Sequence, residues 1–425
     1  MVARLNGLKE SFRIRYADDP LKVLFYTFMA AAAIIMVIGG LITGGDSIRH
    51  MLWPDSVASG FDFFEPLRTN MDMNTDIYPP FAYLFYLFLG MLVIPSSGDV
   101  SLEGLRNTQM GFLVYSLYLL LVYFLLYKAI KKMKAGTERE KDIFFILLLF
   151  TLPSIFLIER ANILALVLVF VLLFFNGYDS ENKKIRYLSY LCLAFATGFK
   201  LYSVIFGLIL LRTKKLKEIG ICLLIGAAVF FVPFLFTDGT IFQYIGNVTS
   251  HAAAMGSIPH ADYVDLNNLI LCIYAFSESL PPGSLSLILS GVLMIAASIS
   301  VVFSTNTDRW KPVALIILAT LLLTGFKPVY AILFMVVPLI MFIDSRPVMN
   351  KLNLVYLICF VLMFIPMFNI FFDLNGDHPV PISLLIESTS LLIMFALLMC
   401  ETLPNAVRNM FRRIGSFLEG RKGDT

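Results

Sequence analysis

Long apolar runs with few charges between them dominate this sequence and limit what it can fold into. Hydrophobic residues make up 58% of the chain and charged residues 15%, whereas a soluble domain carries roughly a quarter charged residues. The run at 21–42 is long enough to cross a bilayer and lacks a clear small-residue cleavage site, so we expect it to remain as the first helix. The sequence therefore predicts an all-α polytopic membrane protein, with residues 1–425 forming a single integral membrane domain.

Basic residues cluster at the two ends of the chain. Residues 1–22 contain five lysines and arginines, and residues 401–425 contain another five. Loops and tails that carry an excess of Lys and Arg stay on the cytoplasmic side of a membrane. Both segments are therefore predicted to be cytoplasmic tails.

Several apolar runs do not suit a simple crossing. Residues 80–94 would form a helix of about 22 Å, against a hydrocarbon core of roughly 30 Å. We expect a partly embedded helix there, within a large first outer loop at 44–109. Residues 187–211 and 312–343 have basic residues at both ends, so each is expected to form two short helices that turn at Lys200 and at Lys327.

These rules together give about twelve transmembrane passes, which include single helices at 142–158 and 351–372, and a second outer loop at 237–282. Only six of the 33 lysines and arginines then lie outside, and they are Arg49, Arg68, Arg106, Arg160, Lys200 and Lys327. An ionisable residue at membrane depth is costly, so it usually lines a water-filled cavity or meets an opposite charge. The last three of the six are placed at such turns.

The first outer loop contains the densest acidic cluster of the chain. Six carboxylates and only two arginines lie between Asp46 and Asp76. A carboxylate within hydrogen-bond reach can take a proton from an attacking hydroxyl. Asp62 and Asp76 are the candidate catalytic residues of this loop, and Glu65 is a candidate substrate ligand.

Cationic and polar residues at the other outer turns complete a candidate pocket. Arg160, Lys200 and Lys327 are the candidate ligands of an anionic lipid headgroup, because Lys and Arg stabilise the charge on a departing phosphate. The candidate substrate-binding residues, besides Glu65, are Tyr78, Asn162, Tyr202, Tyr330 and His260. Neither the histidines nor the five cysteines show metal-ligand spacing, so no metal and no cofactor is expected.

Five short motifs resemble those of a known family. They are Asp62-Phe63, Tyr78-Pro79-Pro80-Phe81, Arg160-Ala161-Asn162, Lys200-Leu201-Tyr202 and Lys327-Pro328-Val329-Tyr330. In their order and context they are similar to bacterial polyprenol-phosphate-mannose-dependent mannosyltransferases of the GT-C superfamily. The resemblance covers Gly60 to about Pro338. Ser203 replaces the usual proline after Lys200 and Tyr202, and Arg160-Ala161 stands where Gly-Gln is common before the asparagine.

The resemblance implies a GT-C-like bundle in a bacterial cytoplasmic membrane, with its active site facing outward. The implied enzyme is a hexosyltransferase that moves a sugar from a polyprenyl-phosphate donor to a hydroxyl of a glycolipid or glycan acceptor, with inversion. Asp62 matches the acidic residue that serves as the base in that family. The bilayer, the donor and the acceptor are the expected partners, and nucleic acid is not.

Two other functions remain compatible with the sequence. A polysaccharide polymerase or ligase that acts on lipid-linked oligosaccharides would need the same cationic pocket and would differ in its donor. A glycolipid transporter or flippase is the other alternative, because transporters often contain broken helices at matching positions, as here at Lys200 and Lys327.

Overall fold

The structure is a computed structural model. It describes residues 20–42, 60–68, 77–97, 101–133, 137–213, 216–237, 239–255, 260, 262–276, 285–305, 308–364, 371–374 and 378–422. Statements about the fold refer to these ranges. The chain is almost entirely helical there, which agrees with the predicted class.

Eighteen α-helices, four short 3-10 segments and one hairpin make up the described chain. The α-helices are α1 (Pro20–Ile42), α2 (Phe61–Arg68), α3 (Pro80–Val93), α4 (Leu102–Asn107), α5 (Gln109–Lys131), α6 (Glu138–Leu149), α7 (Leu152–Arg160), α8 (Leu164–Gly177), α9 (Lys183–Phe199), α10 (Leu208–Arg212), α11 (Leu216–Phe231), α12 (Ile241–Met255), α13 (Leu266–Phe276), α14 (Leu285–Phe303), α15 (Trp310–Leu323), α16 (Val336–Asp344), α17 (Lys351–Phe364) and α18 (Ile382–Lys422). The 3-10 segments are Ile94–Ser96, Leu201–Gly207, Val232–Phe236 and Val329–Met335. The hairpin pairs β1 (Phe371–Leu374) with β2 (His378–Pro381) in antiparallel register.

Two predominantly apolar helices lie at the centre of the bundle. Every residue of α15 is buried, and so are ten residues of α8. A helix that is apolar on all sides has no face to turn toward water, so it must be enclosed by protein or lipid. Here α15 is enclosed by α14, α16 and α18, while α8 packs against α5 and α9.

Long apolar helices surround this centre. Among the described residues, four are long and apolar enough to cross a membrane, namely Gln109–Lys131, Leu216–Phe236, Leu285–Phe303 and Ile382–Arg413. A fifth crossing is possible if α6 and α7 count as one span, although they meet at an angle of 66°. Seven shorter apolar helices accompany them. The molecule is therefore an integral membrane protein with several spanning helices.

The two breaks predicted at lysines are present. Helix α9 ends at Phe199, Lys200 is extended with φ −142° and ψ 106°, and the chain continues as the 3-10 segment Leu201–Gly207. Helix α15 likewise ends at Leu323, and the next helical segment, Val329–Met335, begins after Pro328. Each lysine therefore lies in a break between two helical segments and is not part of a regular helix.

Other local predictions need correction. Residues 142–158 do not form one straight helix, because α6 ends at Leu149 and α7 begins at Leu152. Between them Thr151 accepts a hydrogen bond from Ser154 N, and Pro153 follows in the first turn of α7. The helix expected at 351–372 ends at Phe364, and Phe371–Leu374 is a β-strand. The tail at 401–425 was expected only to be basic, but it continues α18 as far as Lys422.

The start of α5 depends on the absence of a side chain at Gly111. Its N–H donates to Thr108 Oγ1 over 2.9 Å, which caps the helix. A Cβ at Gly111 would lie 1.9 Å from the carbonyl oxygen of Leu105, which is backbone and cannot rotate away.

We expect Gly111→Ala to lower the free energy of unfolding by about 1–3 kcal/mol, the usual cost of overpacking. Gly226→Ala is the matched control, because a Cβ at Gly226 meets nothing within 4 Å. It should be neutral or stabilising by up to about 1 kcal/mol, since alanine favours a helix over glycine. Thermal unfolding of the detergent-purified protein measures both, and equal midpoints for the two variants would contradict this packing.

Candidate active site

Two left-handed turns bring α2 against the junction of α7 and α8. Gly60 has φ 68° and precedes α2, while Ala161 has φ 49° and ends α7. Gly60 N–H donates to the carbonyl oxygen of Glu159 over 2.6 Å. This backbone bond fixes the start of α2, which carries Asp62, beside Arg160 and Asn162.

Three of the predicted residues meet at the carboxylate of Asp62. Its Oδ1 lies 2.9 Å from Arg160 Nη2. Its Oδ2 accepts hydrogen bonds from Asn162 Nδ2 at 2.8 Å and from the hydroxyl of Tyr330 at 3.1 Å. Asp62 is only 9% exposed, so these bonds replace most of the water that would otherwise solvate its charge. We call Asp62, Arg160, Asn162 and Tyr330 the carboxylate cluster.

The amide of Asn162 is oriented by the backbone. Its Oδ1 accepts a hydrogen bond from Leu164 N at 2.9 Å, in the first turn of α8. The Nδ2 group is therefore the one turned toward Asp62, and it also lies 3.0 Å from the hydroxyl of Tyr330. Asn162 thus acts as a fixed donor between the carboxylate and the tyrosine.

Aromatic rings enclose the cluster. The guanidinium of Arg160 lies over the ring of Phe61 at 4.9 Å and over that of Phe156 at 5.9 Å. The Tyr86 hydroxyl donates to the backbone carbonyl of Asp62 at 3.2 Å, and the Tyr118 hydroxyl to that of Asn162 at 3.3 Å. Tyr86 and Tyr118 were not among the predicted residues, because a tyrosine within an apolar helix has the pattern of an ordinary core residue.

Each of the two lysines rests on a tyrosine ring. Lys200 Nζ lies 4.4 Å from the centroid of the Tyr78 ring, and Lys327 Nζ lies 4.2 Å from that of the Tyr202 ring. The Tyr78 ring is 5.5 Å from that of Tyr86, whose hydroxyl reaches Asp62. The chain of contacts therefore runs from Lys200 through two rings to the carboxylate cluster.

Burial and charge act on Lys327 together. Burial, opposed by Asp265 and assisted by the nearby Lys200 charge, lowers the pKa of its ammonium to about 7. The ammonium donates to the carbonyl oxygen of Gly325 at 2.6 Å. Lys327 thus changes its charge near neutral pH.

A loop before α13 holds the lysine turn in place. Val264 N donates to the carbonyl oxygen of Lys327 and Val329 N to that of Asp262, both at 2.8 Å. Asp265 Oδ2 accepts from Lys327 N at 3.2 Å. Asp265 was not among the predicted residues, because an aspartate at the start of a helix indicates only a helix cap.

Asp262 adds a second acidic group beside the cluster. Burial raises the pKa of its carboxyl, the nearby Asp62 charge raises it further, and Arg160 and His260 oppose both. His260 is the remaining predicted ligand in this loop. Its backbone exchanges hydrogen bonds with the side chain of Asn268, and its ring lies 4.8 Å from that of Tyr263.

Glu65, a predicted substrate ligand, lies apart from the carboxylate cluster. Glu65 Oε2 accepts a hydrogen bond from Arg68 Nε at 2.7 Å, one turn further along α2. Asp76 lies outside the described residues, so its predicted role stays a prediction. Within the described ranges, no three His, Cys, Asp or Glu side chains are grouped so that they could hold a metal ion.

The contact between Asp62 and Arg160 can be tested by a double-mutant cycle. Removing one partner of a fully buried pair costs about 3–5 kcal/mol, and we expect about 2 kcal/mol for Arg160→Met because this side chain is 25% exposed. The double variant Asp62→Asn with Arg160→Met should be more stable than the sum of the single losses predicts, by about 1 kcal/mol or more. Thermal unfolding of the four proteins measures this, and strictly additive losses would rule out the coupling.

The model of glycosyltransferase family 87 matches residues 77–325, which is more than half of the chain. The matched region includes Tyr78, Arg160, Asn162, Lys200 and Tyr202, whereas Asp62 precedes it and Lys327 follows it. No curated protein and no solved structure matched the chain.

The family match therefore covers the segments that place the two tyrosine rings, the first lysine and two members of the carboxylate cluster. It agrees with the resemblance to the GT-C superfamily that the short motifs indicated. The chain belongs to glycosyltransferase family 87, a family of membrane glycosyltransferases of the GT-C type.

Proposed function

We propose that this protein is an inverting hexosyltransferase that moves a sugar from a polyprenyl-phosphate donor to a hydroxyl of a glycolipid or glycan acceptor. The observation that carries the proposal is the buried carboxylate of Asp62, which is hydrogen-bonded or ion-paired three times. The ammonium groups of Lys200 and Lys327 lie over two further tyrosine rings, those of Tyr78 and Tyr202. Such a site offers a base at one end and positive charge for a phosphate at the other.

Asp62 is the proposed general base. A carboxylate offers about four lone-pair positions, and Arg160, Asn162 and Tyr330 occupy three of them. The remaining position can accept the acceptor hydroxyl. The proton of that hydroxyl passes to Asp62 while its oxygen forms a bond to the anomeric carbon of the sugar.

The lysines receive the leaving group. As the new bond forms, the bond between the anomeric carbon and the phosphate oxygen breaks, and its electron pair stays on the polyprenyl phosphate. Lys200 and Lys327 are the proposed phosphate ligands, and Arg160 adds positive charge from the other side. A single displacement of this kind inverts the anomeric carbon.

The remaining predicted residues are assigned to binding. Tyr78 and Tyr202 position the two lysines through their rings, and Tyr330 and Asn162 orient the base. His260 and Glu65 are proposed to contact the sugar or the acceptor. The distribution of lysines and arginines along the sequence supports about twelve passes, with 80–94 partly embedded and with the site on the outer face of a bacterial cytoplasmic membrane.

The role of Asp62 can be tested directly. We expect Asp62→Asn to lower kcat about 10²–10⁴-fold, because an amide cannot take the proton, while binding of the donor persists. Asp179→Asn is the matched control, since Asp179 forms an ion pair with Arg309 near the opposite end of α8. Mass spectrometry of the products formed from a panel of polyprenyl-phosphate sugars and cell-envelope lipids measures the transfer.

Three results would count against the proposal. Full activity in Asp62→Asn would exclude this residue as the base. Accumulation of a glycolipid in sealed vesicles without a new glycosidic bond would favour a transporter. Transfer of an oligosaccharide only would favour a polymerase or ligase.

A pH dependence follows from Lys327. Its ammonium is charged below pH 7 and neutral above, because its pKa is lowered to about 7. Attraction for the donor phosphate is therefore fully present in acid and is lost as the pH rises through 7, so KM for the donor should rise between about pH 6 and pH 8.

Lys327→Arg separates this effect from other titrations. A guanidinium stays charged over this pH range, so the rise in KM should disappear in that variant. An identical pH profile of KM in both proteins would show that another group titrates.

A further inference from the structure

A cavity lies at the end of the bundle opposite the carboxylate cluster. It encloses about 260 Å³ between the start of α15 and the ends of α8 and α16, and we call it the far cavity. Helices α8 and α15 connect the two ends. Each has 14 residues, or about 21 Å at 1.5 Å per residue. The far cavity is therefore separate from the site that holds Asp62.

Three charged side chains line the far cavity. Asp308 and Arg309 come from the start of α15, and Asp344 comes from the end of α16. Arg309 forms an ion pair with Asp179, although 51% of its side chain remains exposed. Asp308 Oδ2 lies 3.1 Å from Lys311 Nζ, whereas Asp344 has no ion pair in the part of the chain that the structure describes. The cavity thus offers one partly exposed guanidinium and two carboxylates.

Two of these charges are at the less favourable ends of their helices. Arg309 is the N-cap of α15, and Asp344 is the last residue of α16. The helix dipole favours negative charge at the N-terminus and positive charge at the C-terminus. The dipole therefore does not account for either residue, whereas a ligand that carries charges of both signs would account for both.

The far cavity also contains a hydrogen-bond donor that lacks an acceptor. Asn176, in the last turn of α8, has a buried Nδ2 group that bonds to nothing within the described ranges. A buried donor without a partner is costly, so each one in a native structure needs an explanation. An oxygen of a ligand in the cavity would supply the missing acceptor.

The lining indicates the chemical class of the ligand. Anionic oxygens suit Arg309 and the amide of Asn176, and a cationic donor suits Asp308 and Asp344. A ligand with negative charge alone would be repelled by the two carboxylates. The ligand should therefore carry a phosphate or a similar anion together with an amine.

The aromatic residue beside these charges favours a primary ammonium. A quaternary ammonium cannot donate hydrogen bonds and is bound over open aromatic faces. The Trp310 side chain is only 2% exposed, and its ring packs edge to face against the rings of Phe342 and Tyr356, both at 5.0 Å. It therefore has no open face for a quaternary group.

The remaining walls of the far cavity are largely apolar. Met133, Ile340 and Met341 line it beside the charged groups. Its volume equals that of roughly nine water molecules at about 30 Å³ each. A small zwitterionic headgroup fits this space, and the apolar walls suit the hydrocarbon that follows the headgroup in a phospholipid.

We infer that the far cavity binds an aminoethyl phosphate group, the headgroup of phosphatidylethanolamine. The phosphate lies at Arg309 and Asn176, and the ammonium lies at Asp308 and Asp344. The inference does not rest on the proposed function, because binding at this end of the bundle needs no sugar transfer.

Lipid binding by the detergent-purified protein tests the inference. Native mass spectrometry measures the affinities for phosphatidylethanolamine, phosphatidylcholine and phosphatidylglycerol with the same acyl chains. Phosphatidylethanolamine should bind about tenfold more tightly than the other two, because neither of them has an ammonium that can donate a hydrogen bond. Equal affinities would overturn the inference, and so would tighter binding of phosphatidylglycerol, which would indicate a site for anions alone.

Two variants locate the binding site. Asp344→Asn should weaken phosphatidylethanolamine binding about tenfold and leave phosphatidylglycerol binding unchanged. Asn176→Leu removes the donor to the phosphate and keeps the test available if Asp344→Asn folds poorly. Glu181→Gln is the matched control, because Glu181 is an exposed carboxylate that follows α8 and does not line the cavity. Wild-type affinity in both Asp344→Asn and Asn176→Leu would overturn the inference.

Free phosphoethanolamine distinguishes a lipid from a soluble ligand. A rise in Tm with phosphatidylethanolamine, at concentrations where free phosphoethanolamine has no effect, would assign the cavity to the lipid. Equal rises would assign it to the soluble compound, and no rise with either would overturn the inference. Asp62→Asn should show the wild-type rise, which keeps this result separate from that of the transfer assay.

Discussion

The buried negative charge of Asp62 is the constraint on which the rest of the site depends. A carboxylate removed from water must be matched by donors and by positive charge, or it takes up a proton. Here the matching groups come from two separate parts of the chain: Arg160 and Asn162 flank a left-handed turn, and Tyr330 lies in a distant 3-10 segment. Satisfying one charge therefore fixes the relative positions of α2, the junction of α7 and α8, and the turn after α15.

The two lysine turns share one local design. In each, an α-helix stops, a lysine occupies the break, and a seven-residue 3-10 segment follows, at Leu201–Gly207 and at Val329–Met335. The first turn supplies Tyr202 as the ring beneath Lys327, and the second supplies Tyr330 as a donor to Asp62. Each turn thus contributes one cation and one tyrosine. Because the Lys327 ammonium of one turn lies over the Tyr202 ring of the other, the two turns face the same region.

Sequence reasoning located the membrane class, the breaks at Lys200 and Lys327, and the short helix that begins at Pro80. These features depend on charge placement and apolar run length, which a linear pattern records. For Asp62, Arg160, Asn162 and Tyr330, the sequence predicts only that they line one outer pocket. It does not predict which of them form bonds with one another. The bond partners depend on packing between segments up to 268 residues apart, as for Tyr330 and Asp62.

The errors have similar physical causes. The bend between α6 and α7 arises from Thr151 and Pro153. These two residues hardly change the hydropathy of the long apolar run, so the run predicts a single helix. The strand Phe371–Leu374 lies at the end of an apolar run, and apolar character alone does not distinguish a strand from a helix. Asp265 and Tyr86 act through backbone groups, and residues of that kind carry no signature in residue type or spacing.

The aromatic rings beneath the lysines have a further consequence for how the two cations are held. Two ammonium groups close to one another repel, but each lies over a ring face that accepts positive charge at little desolvation cost. An arriving anion can draw both from these resting places by rotation about side-chain torsions alone. Binding of an anion would then need a change of side-chain rotamers and no displacement of a helix. The lysines could return to their rings between turnovers on the timescale of side-chain motion.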